Sequence, residues 1–130
     1  MALVDRIADL AIRIGRVLAS KLDATHPAAA KAWVCFGVVR GEVVIRASYR
    51  VMRVTRTAQG RYRIWFATRL PDADYCWMAL ARSSVERGQQ RLAIVRATED
   101  EKTQRYVDVS CATAASTFTD SAEINVVVYR

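Results

Sequence analysis

The stretch Val54–Phe66, with the sequence VTRTAQGRYRIWF, decides the fold class of this chain. In its second half Tyr62, Ile64 and Phe66 fall on one face of an extended backbone, because successive strand residues point to opposite faces. Ahead of them, Thr57–Gly60 has the composition of a hairpin loop, with its glycine where the chain re-enters the sheet. The pattern predicts two antiparallel strands that bury one face.

The same alternation continues on both sides of this hairpin. Further strands are predicted at Trp33–Val39, Val43–Val54, Tyr75–Leu80, Leu92–Ala97, Tyr106–Cys111 and Ile124–Tyr129. The Val43–Val54 strand is predicted to place Val43, Ile45, Ala47, Tyr49 and Val51 on one face. Leu70–Asp74 is predicted as a turn, because proline and aspartate favour turns. About seven short strands without a second helix indicate a mainly β fold, an antiparallel sandwich or barrel, and we expect the sandwich.

The N-terminal segment has a different period. Its apolar residues recur at spacings of four, three, four and three, at Leu3, Ile7, Leu10, Ile14 and Val17. This spacing is a coiled-coil heptad seam, and charged residues occupy the other faces. An isolated helix of about twenty residues is marginally stable in water, so the predicted helix needs a packing partner.

The chain therefore divides into an N-terminal helix over residues 1–22, a polar linker over 23–31 and a β-sandwich head over 32–130. The helix could pack on its own head, as in many α+β folds, or against helices of other copies. The 3.5-residue period and the intervening linker favour self-association, with the helix as an oligomerisation or anchoring stem.

The residues that could bind a metal are few. The three cysteines, Cys35, Cys76 and Cys111, are widely spaced, and the single histidine, His26, lies in the linker. A zinc site needs four converging ligands, so we expect no metal and no cofactor. The cysteines are predicted to be small buried strand residues in a reducing compartment.

Two further features concern membranes and secretion. The sequence contains no continuous apolar run long enough to span a bilayer, so we expect no membrane insertion. Asp5, Arg6 and Asp9 interrupt the place where a signal peptide would carry its apolar segment, so we expect no secretion by that route.

The sequence contains none of the common catalytic motifs. The sequence has no Gly-x-Ser-x-Gly elbow and no phosphate-binding glycine loop, and a single histidine excludes most imidazole-based dyads. A carboxylate pair stays open, because its members can come from distant strands. The candidates are Glu42, Asp72, Asp74, Glu86 and Asp108, and nothing singles out two of them. We expect a non-enzymatic protein.

The positive charge is concentrated in the middle of the chain. Eight arginines and one acidic residue, Glu42, lie between Arg40 and Arg69, which accounts for the whole net charge of +7. The candidate patch comprises Arg46, Arg50, Arg61, Arg63 and Trp65. Three interpretations are open: binding of acidic glycans or lipopolysaccharide phosphates, binding of nucleic acid, or a solvated sheet face with no ligand. Nucleic acid is the least favoured, because no recognition helix is present.

Several segments, in order along the chain, resemble a domain found in tail-fibre and related virion proteins of tailed phages. They are Lys31–Phe36 (KAWVCF), Ile45–Ser48 (IRAS), Val54–Phe66, Leu70–Tyr75 (LPDADY) and the closing Ile124–Tyr129 (INVVVY). The N-terminal Asp5–Ala11 is similar to the short helices that open phage fibre proteins. The sequence departs from the family pattern at Cys35, where asparagine is common, and at Gly37–Gly41, where a Gly-Thr-Gly loop is common.

The resemblance implies a homo-oligomeric, trimeric β-structured knob on the particle surface, with no shared catalytic residue. Two functions follow as expectations. The first is a short tail fibre or spike that attaches to a host-surface glycan or lipopolysaccharide through the arginine patch and Trp33, Trp65 or Trp77. The second is a capsid decoration, head fibre or baseplate protein that contacts other virion proteins. In both, the protein is made in the host cytoplasm and is located on the virion.

Overall fold

Two four-stranded antiparallel sheets pack face to face and enclose one apolar core. The computed structural model describes residues 2–22, 26–82, 90–94 and 99–130. The elements are α1 (Ala2–Leu22), β1 (Ala30–Val39), β2 (Glu42–Tyr49), β3 (Val51–Ala58), β4 (Arg61–Phe66), β5 (Cys76–Arg82), β6 (Arg91–Ile94), β7 (Tyr106–Thr113) and β8 (Glu123–Tyr129). The first sheet has the strand order β2-β1-β8-β5, and the second has the order β3-β4-β7-β6. This confirms the predicted mainly β fold, a sandwich with an N-terminal helix.

The core forms because alternate residues of the central strands point between the sheets. From β4, Tyr62, Ile64 and Phe66 are buried, as predicted. The rings of Phe36 and Tyr62 pack edge to face across the two sheets, with their centroids 5.2 Å apart. The other buried core residues are Ala32, Val34, Leu70, Tyr75, Val107, Val109, Cys111, Ile124, Val126 and Val128.

The predicted hairpin between β3 and β4 is present, and its glycine is required. Gly60 has a φ of +69°, in the left-handed region that side chains rarely adopt. A Cβ atom at this position would lie 2.6 Å from the Cys111 carbonyl oxygen and 2.6 Å from the Thr119 nitrogen. The Gly60 carbonyl also accepts a hydrogen bond from the Cys111 amide. The glycine therefore lets the hairpin pack closely against β7.

The prediction of one strand over Val43–Val54 is wrong. Arg50, with a φ of +54°, separates β2 of the first sheet from β3 of the second. The pairing also shifts at Arg46, since Cys35 pairs with Ala47 and Phe36 pairs with Ile45. A bulge of this kind reverses the alternation beyond it. Residues 43 and 49, predicted on one face, consequently lie on opposite faces, and the described part of the chain contains eight strands.

The prediction of three buried cysteines is confirmed only for Cys111. Cys35 is partly buried and Cys76 is exposed. The difference follows from position in the sheets, because Cys76 lies in the edge strand β5 and points away from the core, whereas Cys111 points into it. Burial raises the pKa of the Cys111 thiol to about 11.

Helix α1 forms as predicted and carries Asp5 in its first turn, where a negative charge is favourable. Every residue from Ala2 to Ala19 is exposed. Of the linker, residues 23–25 lie outside the described residues. His26–Ala29 forms a turn in which the Ala29 amide donates to the His26 carbonyl at 2.9 Å, and β1 then begins at Ala30.

Candidate functional site

The outer face of the second sheet carries three of the five predicted patch residues. Arg61, Arg63 and Trp65 alternate with the buried residues of β4 and point outward, as predicted. Trp65 lies between Arg53 of β3, whose guanidinium carbon is 4.5 Å from its ring centroid, and Tyr106 of β7, whose ring centroid is 4.8 Å away. We call this surface, formed by the outward residues of β3, β4 and β7, the arginine face.

Arg63 is neutralised within the arginine face. Its guanidinium donates to both carboxylate oxygens of Asp108, at 2.7 and 3.0 Å, and these hydrogen bonds raise the pKa of Arg63. The same carboxylate accepts from the Glu101 amide at 3.1 Å. The Arg63 guanidinium carbon also lies 4.0 Å from the Tyr106 ring centroid. Because Asp108 neutralises its charge and the Tyr106 ring lies against its plane, Arg63 has little capacity for an anionic ligand.

Arg61 lies near two carboxylates. Its guanidinium is 3.7 Å from a Glu99 oxygen and 3.9 Å from an Asp100 oxygen. Asp100 is held in turn by the Ser110 hydroxyl, which donates to it at 2.9 Å. Glu99 and Asp100 therefore compensate the charge of Arg61. Neither acid was predicted to lie on this surface.

The structure does not bring the other two predicted patch residues onto the arginine face. Arg46 lies at the bulge in β2 of the first sheet, and Arg50 lies where the chain passes from β2 to β3. The sequence groups the two with Arg61 and Arg63 because the positive charge is concentrated between Arg40 and Arg69. Because the strand predicted to contain Arg46 and Arg50 is divided between the sheets, the five residues occupy three separate places.

A polar cluster centred on Asp120 was not predicted from the sequence. The Asp120 carboxylate accepts hydrogen bonds from the Arg56 guanidinium at 2.8 and 3.2 Å, from the Gly60 amide at 2.9 Å and from the Tyr62 hydroxyl at 2.5 Å. No sequence signal points to this cluster, because Asp120 lies about sixty residues from each partner. The cluster anchors the β3–β4 hairpin to the segment that leads into β8.

The ionisation of this cluster follows from competing effects. Burial raises the pKa of Asp120, but the hydrogen bonds from Arg56, Tyr62 and Gly60 outweigh it, so the net pKa is lowered. Burial and the hydrogen bond to Asp120 raise the pKa of Tyr62. The carboxylate is therefore held in its charged form, and the phenol in its neutral form. This arrangement stabilises the hairpin rather than preparing an acid or a base near neutral pH.

The other candidate carboxylates have separate environments. Asp108 is paired with Arg63, and Asp72 is paired with Arg130 at 2.7 Å and accepts from the Asp74 amide at 2.9 Å. These hydrogen bonds lower the pKa of Asp72 to about 2. Glu42 is exposed at the start of β2, and Glu86 lies outside the described residues. Within the described ranges, no three metal-ligating side chains come together.

The outer face of the first sheet is apolar. One row crosses its four strands through Tyr49, Trp33, Val127 and Met78, which are neighbours in the strand pairing, and Leu80 extends the surface on β5. Leu80 is 74% exposed and Met78 is 54% exposed. We call this surface the apolar face. A depression of about 570 Å³ beside it is lined by Trp33, Val34, Trp77, Met78, Ala79, Leu80, Ala93, Asn125, Val126 and Val127.

The three predicted tryptophan contacts are therefore in different places. Trp33 belongs to the apolar face, Trp65 to the arginine face, and Trp77 is partly buried against the core. The predicted helix seam is exposed along its length, from 70% at Leu3 to 51% at Val17. Ile7 and Leu10 lie between these values, and Ile14 is as exposed as Val17.

Within the described ranges, no helix combines the length and the apolar character needed to cross a bilayer.

Comparisons with protein-family models, with curated proteins and with solved structures found no match.

Proposed function

We propose that the protein is a structural subunit of a tailed-phage particle, a short tail fibre or spike whose helices self-associate as a stem. The observation that carries this proposal is the exposed heptad seam of α1. Leu3, Ile7, Leu10 and Ile14 are each more than half exposed, although the β head has an apolar core of its own. A helix of this length gains stability chiefly from packing its apolar stripe, so a bundle of copies supplies the missing partner.

The head has properties that suit a particle-surface subunit. Its two sheets share one core, and charged hydrogen bonds centred on Asp108 and Asp120 fasten neighbouring segments together. Such cross-links oppose local opening, which is the first step in proteolysis. The resemblance to phage fibre domains supports the same assignment and, with it, a trimer and a role in attachment to the host surface.

A second candidate is a capsid decoration, head-fibre or baseplate protein that stabilises the particle without binding a receptor. The apolar face favours it, because exposed apolar patches are typical of protein–protein contacts. The pairing of Arg61 and Arg63 with acidic neighbours favours it too, since it leaves less charge for a host glycan. Both candidates are structural roles on the virion.

The self-association is tested by light scattering on size-exclusion chromatography with Ile14→Asn. Ile14 is on the seam, and a polar residue there should dissociate the oligomer into monomers. Ile12→Asn is the matched control, because Ile12 is equally exposed on the same helix but lies off the seam. A monomeric wild-type protein, or equal effects of the two variants, would contradict the stem.

The location is tested by immunogold labelling of intact particles with an antibody against the head. Gold at the tail tip would support the fibre or spike, and gold distributed over the capsid would support the decoration. Absence of gold from particles that are known to carry the coding sequence would overturn the virion assignment as a whole.

A further inference from the structure

Four basic side chains line one pocket at the end of the sandwich where β1 begins and β8 ends. They are Lys31, Arg50, Arg69 and Arg130, and the pocket has a volume of about 250 Å³. Thr68, Leu70 and Pro71 complete its lining. We call this site the basic-end pocket. It is separate from the arginine face, and of its residues only Arg50 belonged to the patch predicted from the sequence.

Backbone hydrogen bonds fix the walls of the basic-end pocket. The Arg50 carbonyl accepts from the Ala67 amide at 2.9 Å, and the Leu70 amide donates to the Gln104 carbonyl at 2.9 Å. The Gln104 side chain donates to the Pro71 carbonyl at 2.7 Å. Both sides of the pocket are thus held to neighbouring segments, so its basic side chains project from a preorganised backbone.

The charge in the basic-end pocket is only partly compensated. Arg130 pairs with Asp72, and Asp74 lies close enough to influence it. Arg69, in contrast, donates through Nε, at 2.9 Å, and through Nη2 to a neutral amide oxygen, that of Gln104, which does not compensate its charge. The Arg50 guanidinium carbon lies 5.3 Å from the ring centroid of Tyr49. Among the described residues, neither the Arg50 guanidinium nor the Arg69 guanidinium forms a salt bridge with a carboxylate.

We propose that the basic-end pocket binds an acidic sugar residue. The phosphate or carboxylate group would contact the Arg50 guanidinium and the Arg69 donors that Gln104 does not occupy, because hydrogen bonds from a charged guanidinium to such a group are strong. The Thr68 hydroxyl supplies a further donor, and the exposed ring of Pro71 supplies an apolar wall for the sugar. The proposal concerns the isolated protein and does not depend on the virion assignment.

The test is an NMR titration of the whole ¹⁵N-labelled chain with glucose 6-phosphate, glucuronate, glucose and inorganic phosphate. We expect at least one of the two acidic sugars to shift the Thr68 and Arg69 amide signals, and glucose to leave them unchanged. The acidic sugar that binds more tightly identifies the anionic group. Absence of shifts with both acidic sugars would overturn the proposal, and equally tight binding of inorganic phosphate would overturn the assignment to a sugar.

Variants separate the basic-end pocket from general attraction to a basic protein. Arg50→Gln and Arg69→Gln should each weaken binding about tenfold, the loss expected for one charged hydrogen bond. Arg40→Gln is the matched control, because Arg40 has a similar φ, +53°, and lies in the β1–β2 turn at the far end of β1. Equal weakening by Arg40→Gln would show that net charge attracts the ligand and would overturn the site. Unchanged amide signals in the core would confirm that each variant is folded.

Discussion

The outer faces of the two sheets differ in what they leave unsatisfied. On the arginine face, Arg63 donates to Asp108, and Trp65 is covered by Arg53 and Tyr106. On the apolar face, Leu80 and Met78 are more than half exposed, and no described residue covers them. The arginine face therefore leaves less apolar area uncovered than the apolar face does, although Arg61 Nε and Trp65 Nε1 are buried without a hydrogen-bond partner among the described residues.

A run of like charges in a sequence therefore does not measure the net charge of the folded surface on which those residues lie. The acids that neutralise the arginine face, Asp100 and Asp108, come from a later part of the chain than the arginines. A surface that needs a partner is better recognised by apolar area without cover, because water solvates a charged side chain but not an apolar one.

The largest effect is expected from Asp108→Ala on the arginine face. The Asp108 side chain is 11% exposed, and its removal leaves the Arg63 guanidinium and the Glu101 amide without their acceptor. We expect the free energy of unfolding to fall by about 2–3 kcal/mol, since breaking a largely buried ion pair strands the remaining charge. Urea denaturation measures this loss.

The control for that prediction is Asp72→Ala. Asp72 also pairs with an arginine through two oxygens, but its side chain is 36% exposed. We expect a much smaller loss, because water replaces the missing partner of Arg130. Equal losses for the two variants would show that the arginine face is no better paired than an exposed ion pair.

The next effect is the acid sensitivity of the Asp120 cluster. Because the pKa of the Asp120 carboxyl is lowered in the folded state, the unfolded chain takes up a proton at Asp120 at a higher pH than the folded chain does. The stabilisation is therefore complete above about pH 4, the ordinary range for aspartate, and is lost as the pH falls through the folded-state pKa. Asp120→Asn should lower stability at pH 7 and flatten its acid dependence in urea titrations from pH 7 to pH 2. Asp9→Asn in helix α1 is the control and should keep the acid dependence of the wild-type protein. An acid dependence of Asp120→Asn as steep as that of the wild type would contradict the stabilising role of the cluster.

A smaller effect compares one tryptophan from each face. Trp65→Ser removes the contacts with Arg53 and Tyr106, so we expect a loss of about 1–2 kcal/mol. Trp33→Ser removes a residue that is 39% exposed and should cost less than about 1 kcal/mol. It should, however, reduce the fluorescence of a bound hydrophobic dye, which Trp65→Ser should leave unchanged. The opposite order in stability would invalidate the distinction between the faces.

The smallest effect concerns the cysteines and leaves stability unchanged. Cys76, exposed in β5, should react with a maleimide within minutes, whereas Cys111 should react only after unfolding, because burial protects its thiol and raises its pKa. Mass spectrometry of the labelled native protein locates the modified residue. Rapid modification of Cys111 would mean that the core opens more readily than its packing implies.

Local patterns predicted a large part of the fold. The alternation in β4, the hairpin glycine and the helical period of the N-terminal segment are short-range features, and the structure has the buried face of β4, the glycine turn and helix α1 as predicted. The prediction failed at β2 and β3, because the bulge at Arg46 and the left-handed Arg50 leave the sequence alternation apparently intact. The division of that segment between two sheets depends on which strands lie beside it, and local alternation carries no information about neighbours.

The order of residues is enough to predict a mainly β head with an amphipathic N-terminal helix, since hydrophobic period and turn composition are properties of adjacent residues. Which charges are neutralised and which lie together depends on the tertiary structure. It placed Asp108 beside Arg63 and Asp120 beside Arg56, and it brought Lys31, Arg50, Arg69 and Arg130 around one pocket. These contacts join residues up to about a hundred positions apart, and electrostatic interactions depend on distance in space rather than on separation along the chain.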